Sequence, residues 1–278
     1  MYRNLVLKGG GPVGCIAHCG AAKVLEDNGI LKNITNFAGT SAGSIIAELL
    51  RLGYNSSQLN DIISSLDFSK FKDGWNPLRF FTHYGIYKGD YFLNYIRGLT
   101  KNKTGNENTT FKEMTGLDII ATKLSTRGIK IFNSDTSPDV QIASAVRASM
   151  SIPGFFQAFE IDGELYIDGG LIDNYPLNIF DKNSTLNPET LGVSIFDYKG
   201  GSYEKISYYH WIKFIKAFVD IASSAATILE NVNKENDFRG IKIDRLGISS
   251  LDFSPPKELI YNSGMKYTAE FLATIANI

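Results

Sequence analysis

The sequence predicts an α/β fold with a mainly parallel central sheet flanked by helices. The first observation is its opening order: two short apolar runs, each ending in a glycine-rich turn that leads into a helix-forming stretch. A strand joined through a crossover helix to the next strand pairs with it in parallel, with the helix packed back on the sheet. The second is a set of later strand-like runs, at Leu117–Lys123, Leu191–Phe196 and Gly240–Asp244, separated by helical stretches. The third is size: 278 residues, 44% of them hydrophobic and 21% charged, can bury a large core and match an ordinary globular composition. No internal repeat or long linker divides the chain, so residues 1–278 are expected to form one domain.

Taken in order, Leu5-Val6-Leu7 is a buried strand running into glycines, and Cys15–Asp27 a helix stopped by Asn28-Gly29. Ile34–Ala38 is the second strand and Ser41–Leu52 the second helix, closed by Gly53, with a polar helix at Ser57–Leu66. The segment from Asp67 to Leu99 is dense in aromatic residues with little alternation. Gly89-Asp90 starts a helix within it, to about Arg97, and Lys101–Thr110 reads as a mobile polar loop. Leu117–Lys123 and Gly128–Asn133 make a strand pair, and Asp139–Met150 a helix. Phe159–Ile161 and Leu165–Ile167 flank Asp162-Gly163, the signature of a tight hairpin, and Asp168-Gly169-Gly170 ends its second strand. Leu191–Phe196 follows as a strand, Ser202–Glu230 as an amphipathic helical stretch, Gly240–Asp244 as a late strand, and Pro255-Pro256 opens a last helix to about Ala276.

Composition narrows the function classes. A formal net charge of −1 gives no footprint for nucleic acid. No run approaches the roughly 18–20 apolar residues that span a bilayer. The N-terminus enters a strand directly, without the apolar core of a signal peptide. The expectation is a cytoplasmic protein or one peripheral to a membrane, with delivery by a specialised route left open. Cys15 and Cys19 lie four apart on one helix face and read as small buried residues packed toward the first strand. No His/Cys/Asp cluster has metal-ligand spacing, so neither metal nor cofactor is expected.

The chemistry sits in the glycine-rich turns. Gly39-Thr40-Ser41-Ala42-Gly43 has the G-x-S-x-G spacing of a nucleophile elbow, a sharp strand-to-helix turn that lifts a serine hydroxyl clear of the sheet. Gly39 and Gly43 flank the serine because the turn leaves no room for larger side chains. Gly9-Gly10-Gly11-Pro12-Val13-Gly14 offers backbone N–H groups at a helix N-terminus, suited to a developing oxyanion. Gly9, Gly10 and Gly11, with the N–H of Ala42 after the serine, are the candidate donors. Competing readings are weaker. Ser41 could be a plain helix N-cap, but the second glycine motif argues against that. A dinucleotide site wants an acid at the end of the second strand, where this chain has Phe37-Ala38-Gly39. A phosphate-loop NTPase wants Gly-Lys-Ser/Thr, which does not follow the glycines.

A serine hydroxyl needs a base. Of the three histidines, His18 follows the glycine run, His83 lies in the aromatic segment and His210 in the amphipathic stretch. Only His210 comes after Asp168, as the Ser-Asp-His chain order requires, and its Tyr208-Tyr209-His210-Trp211 setting looks like a helix face. Asp168 offers the alternative, a Ser–Asp dyad in which a carboxylate orients Ser41 and takes its proton. In water a carboxylate with a pKa near 4 is a weak base, so partial burial would have to raise it.

These residues resemble the patatin-like phospholipase family, whose members use a Ser–Asp dyad and no catalytic histidine. The glycine run of residues 9–14, the elbow at 39–43 and Asp168-Gly169-Gly170 are similar to its oxyanion element, nucleophile elbow and acid motif. Asn174-Tyr175-Pro176 and Ala148-Ser149-Met150-Ser151-Ile152-Pro153 also fit, and the matches run from residue 9 to 176 in order. One position departs: the family usually has Arg or Lys before the last glycine of the first element, and this chain has Val13, with Lys8 the nearest other cation. The resemblance implies a patatin-like fold and hydrolysis of carboxylic esters in phospholipids or related acyl lipids, with Ser41 and Asp168 catalytic. It implies a lipid substrate, and leaves room for peripheral membrane contact and a protein activator. A transacylase using the same site and a catalytically weak lipid-binding protein are the alternatives. The aromatic segment then has two readings, as core and cap packing or as a lid that meets lipid. Phe155, Phe156 and Phe159 are candidates for lining an acyl groove.

Overall fold

A computed structural model describes residues 1–183, 185–196 and 239–276, together with positions 213, 214, 217, 218 and 221. Apart from those five positions, the expected helical stretch at 202–230, His210 included, lies outside the described residues.

The central sheet is parallel from one edge to its middle. Strand β1 (Asn4–Leu7) pairs on one side with β2 (Asn36–Thr40), with Leu5 opposite Phe37, and on the other with β9 (Thr190–Phe196). β10 (Gly240–Asp244) extends the parallel run beyond β9, and β4 (Leu117–Lys123) extends it beyond β2. The remaining strands are antiparallel: β5 (Gly128–Phe132) and β8 (Glu164–Asp168) both pair with β4, and β7 (Phe159–Ile161) with β8. The order is β10-β9-β1-β2-β4-β8-β7, with β5 also on β4. The chain leaves β1 toward β2 and later returns to its other side as β9, so the carboxyl end of β1 is a topological switch point. Open α/β sheets place their ligands at such a point.

Helix α1 (Gly11–Asp27) returns from β1, and α2 (Ala42–Arg51) returns from β2. Together with α3 (Ser56–Ser65) and α6 (Ile142–Ser149) they bury Leu5, Leu7, Phe37 and Ile119 on one sheet face. The last helix, which we number α7 (Lys257–Ala276), packs along α1. On the other face, Tyr175 and Leu177 cover Val6, Ala38 and Ile120.

Several element ends differ from expectation for local reasons. α1 begins at Gly11, not Cys15: Gly11 takes φ +56°, and Pro12 occupies the first turn, where its missing N–H is harmless. β2 starts at Asn36 because Leu31–Asn33 form a 3-10 turn ahead of it. A short helix, α4 (Arg79–His83), and a strand, β3 (Gly85–Tyr87), precede α5 (Asp90–Thr104). α5 runs through the first part of the expected loop. Lys103 donates to the Gly53 carbonyl (3.0 Å) and lies over the Tyr54 ring, and Gly105 caps the helix by donating to Lys101. The two cysteines are buried as expected but face helices rather than β1. Cys15 Sγ lies 3.9 Å from the Ala42 carbonyl and Cys19 Sγ 3.8 Å from that of Leu59. Burial pushes the Cys15 thiol up to about 12, which leaves it protonated and unreactive.

The aromatic segment divides. Phe68, Phe71, Tyr87 and Phe92 are core residues, while Trp75, Leu78, Phe81 and Tyr84 point outward. β3 pairs in parallel with β6 (Gly154–Phe156), which brings Phe155 against Tyr87 and Phe253. Phe155 and Phe156 are therefore engaged in ring packing, and Arg147 lies over Phe156 and Phe159. One buried acid belongs to the core as well. Glu48, within α2, accepts a hydrogen bond from Thr100 of α5 (2.8 Å), and burial pushes its carboxyl up to about 8.

Candidate active site

Ser41 stands between the end of β2 and the start of α2. Its backbone has φ 52° and ψ −123°, a strained conformation for a residue with a Cβ and the kind of turn an elbow requires. Two close approaches explain the flanking glycines. A methyl at Gly39 would meet the backbone of Gly43 and Ser44, and one at Gly43 would meet the carbonyls of Leu7 and Lys8. The elbow is thus pressed against the end of β1, next to the glycine run.

Three hydrogen bonds hold the strained turn. The Ser41 N–H donates to Ser149 Oγ (2.8 Å), whose own hydroxyl donates to the Ile120 carbonyl on β4 (2.5 Å). Ser44 returns its hydroxyl to the Ser41 carbonyl (2.5 Å). Ser149 was legible in the sequence only as part of a motif. Its partner is 108 residues away, so nothing in the local pattern reveals the contact.

Ser41 Oγ donates to Asp168 Oδ2 at 2.7 Å, and both residues are buried. Asp168 reaches the elbow because β8 runs antiparallel to β4, which sets Asp168 opposite Ala121 while Thr40 lies opposite Ile120. Its other oxygen, Oδ1, accepts the Gly170 N–H (2.7 Å). Its backbone is tied at both ends, by its N–H to the Ser151 carbonyl (2.9 Å) and by Thr122 Oγ1 to its own carbonyl (3.0 Å). Burial raises the carboxyl to about 6, against the opposing pull of the Ser41 and Gly170 hydrogen bonds. That is the raised basicity a carboxylate base needs. Gly169 lies against the Ile120 carbonyl and Thr40, with no space for a side chain.

The N–H groups of Gly10, Gly11 and Ala42 lie at the first turns of α1 and α2, where no preceding helical turn can accept them. The positive ends of two helices meet beside the serine. Gly9 does not belong with these donors. Its N–H is spent on the Asn174 carbonyl (3.0 Å), which fixes the glycine run to the segment after Asp168. The same segment is held to the elbow, since Thr40 Oγ1 donates to the Asp173 carbonyl (3.0 Å).

The two described histidines, His18 and His83, lie elsewhere. His18 is buried in α1 with Nε2 bonded to the Lys8 carbonyl (2.8 Å), and burial lowers it to about 4, so it is neutral at pH 7. His83 is exposed at the end of α4. Val13 is fully buried in the core face of α1, and Lys8 is buried at the end of β1.

The chain is similar to known proteins in sequence and in fold. The chain is 28% identical over 287 residues to protein R571 of Acanthamoeba polyphaga mimivirus, covering 99% of this chain and 95% of that one. It is 28% identical over 189 residues to a probable lipid hydrolase, 463L, of Invertebrate iridescent virus 6, covering 64% of this chain and 63% of the relative. Among solved structures it shares its fold with VipD from Legionella pneumophila, with a TM-score of 0.66 at 18% identity over 98% of this chain and 67% of that one. The model of the patatin-like phospholipase family matches residues 5–181, the stretch that runs from β1 past Ser41 and Asp168 to the Tyr175–Phe180 cover of the sheet. With that match spanning more than half of its length, the chain belongs to the patatin-like phospholipase family.

Proposed function

We propose that the protein is a lipid acyl hydrolase of the phospholipase A or lysophospholipase type, cleaving carboxylic esters of phospholipids through Ser41 and Asp168. The observation that carries it is the 2.7 Å hydrogen bond from a strained, elbow-borne Ser41 hydroxyl to a buried carboxylate. As Ser41 Oγ bonds to the ester carbonyl carbon, its proton passes to Asp168 Oδ2. The carbonyl oxygen becomes an oxyanion beside the N–H groups of Gly10, Gly11 and Ala42, which stabilise charge that exists only in the transition state and intermediate. Collapse expels the lysolipid alkoxide, which takes the proton from Asp168 and leaves an acyl-serine. Water then gives its proton to Asp168 and attacks the acyl carbon, releasing the fatty acid and restoring Ser41. With its carboxyl raised to about 6, Asp168 is mostly ionised at pH 7 yet more basic than a solvated aspartate.

The family membership and the name of the iridescent-virus relative support the substrate class. The test is release of fatty acid from mixed phospholipid vesicles, and of chromophore from a short soluble ester, by parent, Ser41→Ala, Asp168→Asn and His210→Ala proteins. Loss with the first two variants and retention in the third is the expected result. Retained turnover in Ser41→Ala, or loss in His210→Ala alone, would overturn the dyad.

A further inference from the structure

The outward part of the aromatic segment is the most unusual surface among the described residues. Trp75, Leu78, Phe81 and Tyr84 follow one another at three-residue spacing and are 62, 71, 79 and 53% exposed. They fall within one short segment around the turn at Asn76–Leu78 and helix α4, where Phe80 is exposed as well, so they form a stripe along the chain and not a scatter over the surface. Scattered exposed apolar residues need no explanation, but a contiguous stripe of four large ones marks a contact surface.

We infer that this stripe is the docking surface for an anionic phospholipid bilayer, which rests on the lipid-hydrolase reading and deepens it by saying how the enzyme meets its substrate. Charge complementarity carries the choice of occupant. Between residues 67 and 90 the chain has four cations, Lys70, Lys72, Arg79 and Lys88, against three carboxylates, Asp67, Asp73 and Asp90, and Lys88 pairs with Asp90 (3.8 Å). Asp73 is turned inward: its two oxygens accept the N–H groups of Gly89, Asp90 and Tyr91 and cap α5. Arg79 sits within the stripe and spends its guanidinium on the Gly74 and Ile86 carbonyls, so its charge is held there without being neutralised. An apolar stripe rich in Trp and Tyr with a surplus of cations suits the interface between acyl chains and anionic headgroups. In a chain whose overall charge is −1, this positive excess is local.

The stripe is also mechanically joined to the site. The carbonyls of His83 and Tyr84 accept the N–H groups of Ala158 and Gly154, and three residues before Gly154 the Ser151 carbonyl holds the N–H of Asp168. Three residues reach at most about 11 Å. Arg147, fully buried, ties the two together, donating to Ser151 Oγ (2.7 Å) and to the Gly89 and Lys88 carbonyls. The backbone that carries the end of the stripe is therefore a short chain of hydrogen bonds from the backbone of Asp168.

The experiment uses the full chain carrying Ser41→Ala, so that lipid is not consumed, and measures co-sedimentation with vesicles. The probes are phosphatidylcholine vesicles with and without phosphatidylglycerol. Binding should require phosphatidylglycerol, weaken as salt rises, and fall by at least about tenfold in Trp75→Ser/Leu78→Ser/Phe81→Ser. Phe81→Ser alone, at the most exposed position, should give a smaller loss in the same direction and guards against misfolding of the triple variant. The same substitutions in the Ser41 protein should leave turnover of a short soluble ester unchanged while slowing release from vesicles. Equal vesicle binding by parent and stripe variants overturns the inference. So does a parent that forms dimers broken by Phe81→Ser, which would make a second copy the occupant. Stripe-dependent binding in a protein with no ester turnover would sustain the docking surface and defeat the hydrolase reading instead.

Discussion

Asp168, beside the start of α2, and Glu48, in its second half, are two buried carboxyl groups with opposite fates. Asp168 meets the N-terminal end of α2, where the helix dipole favours a negative charge, and two donors reach it, Ser41 Oγ–H and Gly170 N–H. Its carboxyl is raised only to about 6. Glu48 lies in the second half of α2, where the dipole disfavours an anion, and Thr100 donates to one of its oxygens while the other has no partner among the described residues. It is raised to about 8 and is protonated at pH 7. Burial is similar in the two places. What separates the two carboxyl groups is the number of donors aimed at each, two at Asp168 and one at Glu48.

That contrast can be broken most forcefully at Asp168. Asp168→Asn keeps the shape and removes the charge, and under the proposed mechanism should cost about 10³-fold or more in kcat. It should cost no stability. A native carboxyl held above the ordinary aspartate value favours folding while protonated, and that contribution is lost as pH rises from about 3.8 toward 6. At pH 7 the variant should therefore unfold at the same temperature as the parent or a higher one, in calorimetry. A large drop in Tm would mean that the carboxylate stabilises the fold, contrary to its raised pKa.

Ser149→Ala should have the next largest effect. It removes the acceptor for the Ser41 N–H and relaxes a strained turn without touching substrate, so kcat for a short ester should fall by about 10- to 100-fold with KM little changed. Ser149→Thr should restore part of the rate if its hydroxyl regains the contact, which a merely structural cavity would not do. The pH profile sharpens the comparison further. Because the base must be ionised, kcat/KM should rise with pH through an apparent value near 6 and level off above it. A midpoint near 4 would indicate a solvated carboxylate and remove the role of burial. The smallest effect belongs to Glu48. Its raised carboxyl favours the native state below about 4.5 and loses that contribution as pH climbs to about 8. Glu48→Gln should leave activity unchanged at pH 7 and flatten the decline of the urea midpoint between about pH 4.5 and about pH 8.

How much of this was readable beforehand depends on the range of the cause. The sharp turn at Ser41 and the close approach at Asp168 were legible because glycine spacing reports close backbone approach, and Asp-Gly-Gly reports a strand end that must pass another chain closely. The parallel sheet was legible from strand–glycine–helix order. Three features were not. Gly9 looks like its neighbours in sequence, yet its N–H is consumed by Asn174, 165 residues on, whereas those of Gly10 and Gly11 are left at the helix start. α5 extends to Thr104 through Lys101-Asn102-Lys103, a polar run that reads as a loop until Lys103 is seen to pack on Tyr54. The split of the aromatic segment into core and exposed stripe depends on the pairing of β3 with β6, a contact with no local signature.

The segment that follows Asp168 has a consequence of its own. It begins at Asp168, closes on Thr40 beside Ser41 and ends by holding Gly9 at the start of the glycine run. Asp168, the turn at Ser41 and the glycine run, the base, nucleophile and oxyanion element of the proposed mechanism, are thus fastened by one strip of backbone from residue 168 to 174. Changes to that strip cannot adjust one function at a time. A lengthened strip would release base and glycine run together, so in this stretch insertions should switch activity off as a unit, while tuning must come from side chains outside it.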